Sequence, residues 1–598
     1  MSNKLQDILQ QLTAEIAVWL TGLGIENPEV QLDITTNLEF GEYSTNVAMR
    51  YAKVLGKSPL QIAEELVENL RHKEFGFLGE VKAVNPGFVN FYFTPLVKSQ
   101  HIESIISARD DFGKNNLHLN EKWVIEHTSP NPNKAMHLAH LRNNLVGMGI
   151  VRLLKLSGAE VVSDAVYNNR GIAIAKVMYG YLAHMKTATD LPTDIKYWSL
   201  HKQQWHTPES KQIKPDQFVT DCYVLAEKDF ANPEVEAFVR QLVVDWEAED
   251  NLTWQLWETV LEFAYTGINH TLRRLGNHWD NVWYEHEHYQ AGKEYVETGL
   301  ARGIFKTLED GAVLTNLEAK YNLSDTVLLK SDGTSLYITQ DIALTDLKKK
   351  KYDADKLVWV IGPDQTLALK QVFAVCEQLE IGKLEDFTHV SYGYVSLKDE
   401  AGGFKKMSSR AGTVVLIDDV IDEVKAEIKA RFVAEAKYGD ATREELSEKL
   451  ALAAVKFSFL KSDRNQDLQF DVKQSIDIHG DSGLYVMYAY VRTESILRKA
   501  AANSHGIKLP EQLGEEASLL RSLLYFDYIV EKATADLSVH HVAQYLLEIS
   551  GEFNRWYAKE TILDGGEYEG YKLSIVRAVG ITIKNGLDLL GINTVEEM

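Results

Sequence analysis

Ser129-Pro-Asn-Pro-Asn-Lys-Ala-Met-His-Leu-Ala-His-Leu-Arg142 is the stretch whose reading decides the fold. Ahead of it, Trp123-Val-Ile-Glu-His127 is a short run of apolar and β-forming residues, the pattern of a buried strand. Behind it, apolar residues recur at helical spacing from Met136 to Leu156 and stop at Gly158, a residue suited to a C-cap. The two prolines and two asparagines between can continue neither element. A strand therefore hands over to a helix whose first turn carries His137 and His140 on one face. Unpaired backbone N–H groups and the positive end of the helix dipole converge there, and Lys134 adds a donor, so the turn reads as a seat for a polyphosphate. Read in isolation, such a pair of histidines is more often a cap or a polar corner. Zinc fits less well, because helical zinc pairs are spaced i, i+4 beside a Glu, and neither holds here.

A second stretch far downstream supports the phosphate reading. Gly402-Gly-Phe-Lys-Lys-Met-Ser-Ser-Arg-Ala-Gly412 has glycines at both ends and Lys405, Lys406 and Arg410 between them. Alone it is a solvated basic turn. Beside the first stretch it becomes a loop able to close over a triphosphate and neutralise charge as pyrophosphate leaves. Together the two resemble the HIGH and KMSKS signatures of class I aminoacyl-tRNA synthetases, in the same order. That resemblance implies ATP, carried with Mg²⁺, as a substrate, His137, His140 and Lys406 as catalytic groups, and Met407, Ser408 and Ser409 as further ATP contacts; Lys134, a donor at the turn itself, is a further catalytic candidate.

Composition sets the outer bounds. At 598 residues the chain exceeds one core, and about three to five domains are expected. Hydrophobic content of 45% and charged content of 25% are those of a soluble globular protein. Cys222 and Cys376 make neither a disulfide framework nor a zinc site, which suits a reducing cytoplasm. Residues 1–20 form an amphipathic helical pattern rather than a signal peptide, and no apolar run is long enough to span a membrane. A net charge of −23, taken alone, argues against a nucleic-acid partner. Net charge does not describe the local face, so a few basic stripes on an acidic body are expected. Lys348 to Lys351 is one candidate stripe, although such a run is more often a solvated helix end.

The expected architecture is multidomain α/β. Residues 1–118 read as an N-terminal α+β domain, with helical stretches around 1–20 and 44–71 and an aromatic strand at Gly87 to Phe93. A doubly wound, Rossmann-like parallel sheet follows in two halves, 119–185 and 321–418, separated by an insertion over 186–320. In the first half Ala159 to Tyr167 is the second strand and Asn168-Asn-Arg-Gly171 opens the next helix. In the second half the sheet resumes at Thr326 to Lys330, a strand ends at Tyr337, and Leu357 to Ile361 is a further strand. Residues 192–217 read as a polar loop, Asp418 as the cap of a helix, and His278, His286 and His288 as solvated surface rather than a metal cluster. Stem helices over 419–455 and an all-α helical bundle over 456–598 complete the chain.

Four further phrases resemble arginyl-tRNA synthetases: Gly41-Glu-Tyr-Ser-Thr-Asn-Val-Ala48, Pro59-Leu-Gln-Ile-Ala63, Gly87-Phe-Val-Asn-Phe91 and above all Asp332-Gly-Thr-Ser-Leu-Tyr-Ile-Thr-Gln-Asp-Ile-Ala343. A carboxylate beside a phenol offers a guanidinium planar, charge-assisted hydrogen bonds. The plainer alternative for Asp341 is a helix N-cap, and one residue could do both. The resemblance implies ATP-dependent ligation of L-arginine to tRNA-Arg through an arginyl-adenylate. It implies an arginine site from Ser129, Pro130, Asn131, His140, Tyr337, Asp341 and Gln365. It further implies an N-terminal domain on the tRNA elbow and an anticodon-binding bundle using Tyr485, Tyr488, Arg492, Arg498, Lys499 and Trp556. Rings at helical spacing are also what a helical core looks like, so that second reading stays open. A monomer without a protein-bound metal is expected.

Several residues depart from the family pattern. Ala139 replaces the glycine of the HIGH signature, Ser409 the second lysine of KMSKS, and Ala368 a frequent histidine, while Asn169 stands where an acid is expected. Lys134 or Arg410 is the expected substitute for the lost lysine. A catalytically weak or non-catalytic tRNA-binding paralogue is the alternative these departures keep open.

Overall fold

The computed structural model describes residues 4–35, 38–73, 75–333, 336–398, 404–405, 415–431, 439–500, 510 and 512–598. It divides into two compact units, one of Asn116–Ile476 with Thr534–His540 and one of Met1–Asn115, Asp477–Ala533 and His541–Met598. No described helix is long and apolar enough to cross a membrane.

In the second of these, a four-stranded antiparallel sheet is formed by β1 (Asp33–Ile34), β2 (Tyr43–Thr45), β3 (Leu78–Val84) and β4 (Phe88–Phe93), in the order β1-β2-β4-β3. The expected helix over 44–71 is therefore a strand followed by two helices, Val47–Leu55 and Pro59–Arg71. They are parted by Gly56, which turns left-handed at φ 65°, and by Ser58, which caps the second helix with Gln61. In the Gly41-Glu42 phrase, Gly41 has φ 74° and a Cβ there would lie 2.3 Å from the Phe91 carbonyl oxygen, so only glycine fits. Glu42 is buried, pairs with Lys98 at 2.5 Å and accepts the Phe93 N–H at 2.7 Å. That phrase is structural.

The bundle helices Gly483–Ala500, Ala517–Leu523, Phe526–Ala535, His540–Lys559 and Glu569–Leu589 pack on this sheet domain rather than standing apart. Tyr525 donates to the Glu42 carbonyl at 2.8 Å, Asn585 to the carbonyls of Arg109 and Phe112, and the Phe112 and Phe526 rings stack at 5.2 Å.

The larger unit is built on a five-stranded parallel sheet of β5 (Lys122–His127), β6 (Glu160–Tyr167), β7 (Asn281–Tyr284), β11 (Lys356–Val360) and β12 (Phe387–Val390), ordered β12-β11-β5-β6-β7. The chain winds outward from β5 to β7, then restarts at β11 on the other side of β5. The crevice at this reversal lies at the strands' C-terminal ends, where such folds bind ligands. Three expectations are corrected here. β7 completes the sheet from inside the stretch taken as insertion (186–320), because its four residues are too few to stand out as a period-2 pattern. Val327–Leu329 (β10) does not resume the parallel sheet. It joins β9 (Val313–Leu314) and β8 (Lys306–Thr307) in a small antiparallel sheet. A third three-stranded sheet, of β13 (Val395–Lys398), β14 (Phe404–Lys405) and β15 (Leu468–Phe470), recruits a strand from the region expected to be helical bundle, so residues 456–476 belong to this unit.

Residues 172–275 are mostly helical, around a core that includes Trp198, Phe218, Leu242 and Trp257. The expected polar loop at 192–217 holds the short helices Ile195–Leu200 and Pro208–Lys211, each started by a side-chain cap, Asp194 and Thr207.

Candidate active site

The handover read from sequence is present. β5 ends at His127, the chain turns, and His137 is the N-cap of the helix Leu138–Leu156. The turn leaves the strand through two non-glycine residues with positive φ, Thr128 at 75° and Ser129 at 27°. Such backbone persists only when its surroundings over-determine it. Here Asn143, about one and a half turns into the helix, accepts the Thr128 N–H at 2.7 Å, and Asn144 donates to the Thr128 hydroxyl at 3.2 Å. The bent backbone directs the Ser129 hydroxyl to Glu126 Oε1 at 3.1 Å, while it accepts the Val166 N–H at 3.0 Å, tying β5 to β6.

His137 and His140 face each other with ring centroids 4.0 Å apart, and the His137 N–H is donated to His140 Nδ1 at 3.1 Å. Burial and the neighbouring Lys134 ammonium push His137 down to about 4. Burial, then His137 and Lys134, hold His140 well below the usual imidazole value. Both rings are therefore neutral near pH 7 and act as dipolar donors, not cations. His137 Nδ1 is buried and has no hydrogen-bond partner among the described residues. Lys134 is itself lowered by desolvation.

Lys406, Met407, Ser408, Ser409 and Arg410 lie outside the described residues. The flanking segments are placed. Phe404–Lys405 pairs with Leu397–Lys398. Leu138 donates to the Val415 carbonyl at 3.3 Å, and Ile417 to that of Met136 at 3.2 Å. The backbone after the basic loop is thus hydrogen-bonded to the histidine turn itself.

Tyr337 and Asp341 sit one turn apart on the helix Tyr337–Tyr352, whose N-cap is Leu336. This corrects two expectations: Tyr337 begins a helix rather than ending a strand, and Asp341 is an interior helical residue, not an N-cap. Two turns beyond Asp341, Lys348 is fully buried and its ammonium bonds Glu126 at 2.7 Å and Asp164 at 3.0 Å. The face carrying Asp341 and Lys348 is therefore turned to the ends of β5 and β6. Tyr337 is 77% exposed and Asp341 also remains accessible. Even so, the protein mass around the recess, with the charges of Glu126 and Glu285, pushes the Asp341 carboxyl up to about 7. Gln365 ends the short turn Pro363–Gln365 after β11, at the same edge of the sheet. Asn131 is exposed and accepts from Asn168 at 3.2 Å, whereas Pro130 is buried.

The four lysines are not a basic stripe. Lys348 is internal, Lys349 and Lys350 pair with Asp386 and Asp346, and Lys351 lies over the Trp283 ring. Nor are all three histidines solvated: His278 is, but His286 contacts Asn169 at 2.9 Å and His288 has both ring nitrogens buried. Their neighbour Glu285 is buried and raised by desolvation. Asp418 does not cap its helix. It binds Thr271 at 2.7 Å, Arg274 and Lys214. Among the described residues, no group of three or more His, Cys, Asp or Glu side chains is placed to hold a metal ion. Sequence reasoning missed Glu126, Asn143, Asp164, Glu285 and Lys348, whose importance comes from long-range pairing that no local pattern announces.

In the bundle, Tyr488 is exposed and Arg492 lies 4.6 Å from its ring and 4.6 Å from that of Tyr557. Tyr485 is half-buried, Lys499 is exposed, and Arg498 pairs with Glu597. Trp556 is only 2% exposed, so it is core and cannot serve as a stacking platform. Its neighbour Tyr557 carries the exposed ring.

Three family models match. A class I tRNA synthetase (R) catalytic domain matches residues 101–172 and 197–472, an arginyl tRNA synthetase N terminal domain 2–93, and a DALR anticodon binding domain 486–598. The arginine–tRNA ligase of Treponema denticola is 33% identical, over 99% of this chain and 100% of its own. That of Parabacteroides distasonis is 32% identical with the same coverage. In fold, the chain is similar to the Thermus thermophilus arginyl-tRNA synthetase, with a TM-score of 0.78 at 23% identity over 98% of this chain and 100% of that one. With the histidine turn, the parallel sheet and the matched domains all in place, the chain belongs to the arginyl-tRNA synthetase family.

Proposed function

We propose that the chain ligates L-arginine to tRNA-Arg at this crevice in two steps. In the first, a carboxylate oxygen of arginine bonds to the α-phosphorus of ATP in line, the bond to the bridging β-oxygen breaks, and pyrophosphate leaves with the electron pair. His137, His140, the helix N-terminus and Lys134 meet the phosphate oxygens, with Lys406 and its neighbours closing from the loop. Mg²⁺ arrives with ATP, held through phosphate oxygens and water. In the second step a ribose 2′-OH at the tRNA 3′ end attacks the adenylate carbonyl, its proton passes to an oxygen of the departing phosphate, and the acyl–phosphate bond breaks as AMP leaves with the electron pair.

The observation that carries the arginine reading is the charge of the recess beside the phosphate turn. Among the described residues, Glu126, Asp164, Glu285 and Asp341 gather there against two cations, the Lys348 ammonium and the Arg170 guanidinium near Glu285. A recess with that excess of acid rejects neutral and anionic side chains and favours one ending in a cation. Asp341 takes the guanidinium with Tyr337 and Gln365 alongside, while Ser129 and Asn131 order the wall between recess and phosphates. Tyr488, Arg492 and Tyr557 offer unstacked anticodon bases a ring-and-cation ledge. The protein acts as a cytoplasmic monomer. Charging of tRNA-Arg with labelled arginine, with and without ATP and against a panel of other amino acids, tests the reading. Equal charging with lysine or glutamine would overturn it.

A further inference from the structure

Asn169, just past the end of β6, is 1% exposed, and both polar atoms of its side chain are engaged. Its Oδ1 accepts the His286 backbone N–H at 3.2 Å, while Nδ2 donates to His286 Nδ1 at 2.9 Å and to the Tyr265 hydroxyl at 3.2 Å. Its own carbonyl accepts Trp257 Nε1–H at 2.6 Å, which ties it to the helix Asn251–Leu275. A backbone N–H can only donate, so the amide oxygen faces it and the amide nitrogen faces the ring. His286 Nδ1 is then an acceptor, and the ring is neutral with its proton on Nε2. Burial, opposed by Glu287, lowers this imidazole in the same sense.

His286 is the second residue of the short helix Glu285–His288, whose N-cap, Tyr284, provides no side-chain acceptor. Asn169 provides one from the neighbouring strand instead. Directly before His286 stands Glu285, which is buried and shares the recess with Asp341, whose carboxyl it raises together with burial and Glu126. Among the described residues, no hydrogen bond or ion pair holds the Glu285 carboxylate, and Arg170 acts on it only through its charge. The place of that carboxylate is therefore inherited from the backbone of the turn. Among the described residues, Asn169 is the side chain that bonds this backbone.

We propose that Asn169 is a positioning residue for arginine recognition, capping the turn that carries Glu285 and so holding that carboxylate toward bound arginine without touching it. The inference rests on the reading of the recess given above. In Asn169→Leu, close in size but unable to make the side-chain bonds, the arginine Kd read by calorimetry rises about 5- to 10-fold, the loss of a cap. In a Glu285→Gln background the same change moves the Kd less than about twofold, because the carboxylate it positioned is gone. Asn169→Asp keeps the acceptor for the His286 N–H and bonds the ring only when Nδ1 carries a proton. It recovers most of the lost affinity, and nitrogen NMR of labelled histidine shows the His286 proton moving from Nε2 to Nδ1. Native arginine affinity in Asn169→Leu would overturn the proposal. So would an equal loss in both backgrounds, which marks general loosening of the fold, or a wild-type His286 protonated on Nδ1. Should Asn169→Leu fail to fold, Asn169→Ser, too short to reach the turn, takes its place in the same comparison. An arginine Kd unchanged by Glu285→Gln alone would instead defeat the reading of the recess itself.

Discussion

Asp341 makes arginine binding a proton-linked event. With its carboxyl pushed up to about 7, it is about one-tenth ionised at pH 6, half at pH 7 and nine-tenths at pH 8. A guanidinium needs the ionised form. The apparent Kd for arginine therefore falls about tenfold from pH 6 to pH 8, and about half a proton is released per arginine bound at pH 7. The empty protein behaves with the opposite sign. A carboxyl raised above its unfolded value contributes stability that is complete below that value and is lost as pH rises through about 7. Because water reaches this carboxylate, the repulsion is partly screened. The melting temperature of the empty protein should decline between pH 5 and 8, and saturating arginine should remove the decline. Calorimetry at pH 7 in buffers of different ionisation enthalpy counts the protons, and Asp341→Asn isolates the group. Buffer-independent enthalpies together with a flat Kd from pH 6 to 8 would refute the reasoning, as would a pH dependence that survives in Asp341→Asn.

Lys348→Met leaves Glu126 and Asp164 buried without their cation and should cost about 3–5 kcal/mol in denaturant unfolding. A loss below about 1 kcal/mol would show that the acids find another partner. His137→Ala and His140→Ala should each lower charging kcat about 10²- to 10³-fold. With His137 down to about 4 and His140 also well below normal, neither imidazole should add an inflection between pH 6 and 8 to kcat/KM for ATP at saturating arginine. Lys134→Ala removes the ammonium nearest both rings, so the adenylation rate should fall sharply while their imidazole values rise in NMR titration; an unchanged rate rules Lys134 out as the substitute for the missing signature lysine. Tyr488→Ala should weaken tRNA binding by about 1–3 kcal/mol and leave stability alone. Trp556→Ala should do the reverse, destabilising by about 3–5 kcal/mol, with thermal melts and tRNA titrations separating the two.

What the sequence alone determined is whatever depends on neighbours in the chain. The strand at Trp123–His127, the turn after it and the capped helix carrying His137 and His140 follow from short-range rules of periodicity, proline and capping, and the structure keeps all three. Tyr337 and Asp341 share a helix face because they are four apart. Tertiary structure decided everything that depends on partners distant in sequence. Four consecutive lysines look solvated until Lys348 meets carboxylates 222 and 184 residues away. A two-residue strand such as Phe404–Lys405 has no readable period, so pairing alone creates it. Trp556 and Tyr557 are adjacent and equally aromatic, and only the packing of the helix His540–Lys559 sends one into the core and the other to water. A hydrogen bond between residues hundreds of positions apart leaves no periodic trace in the chain, and burial that shifts Asp341 and both histidines is a property of the assembled recess.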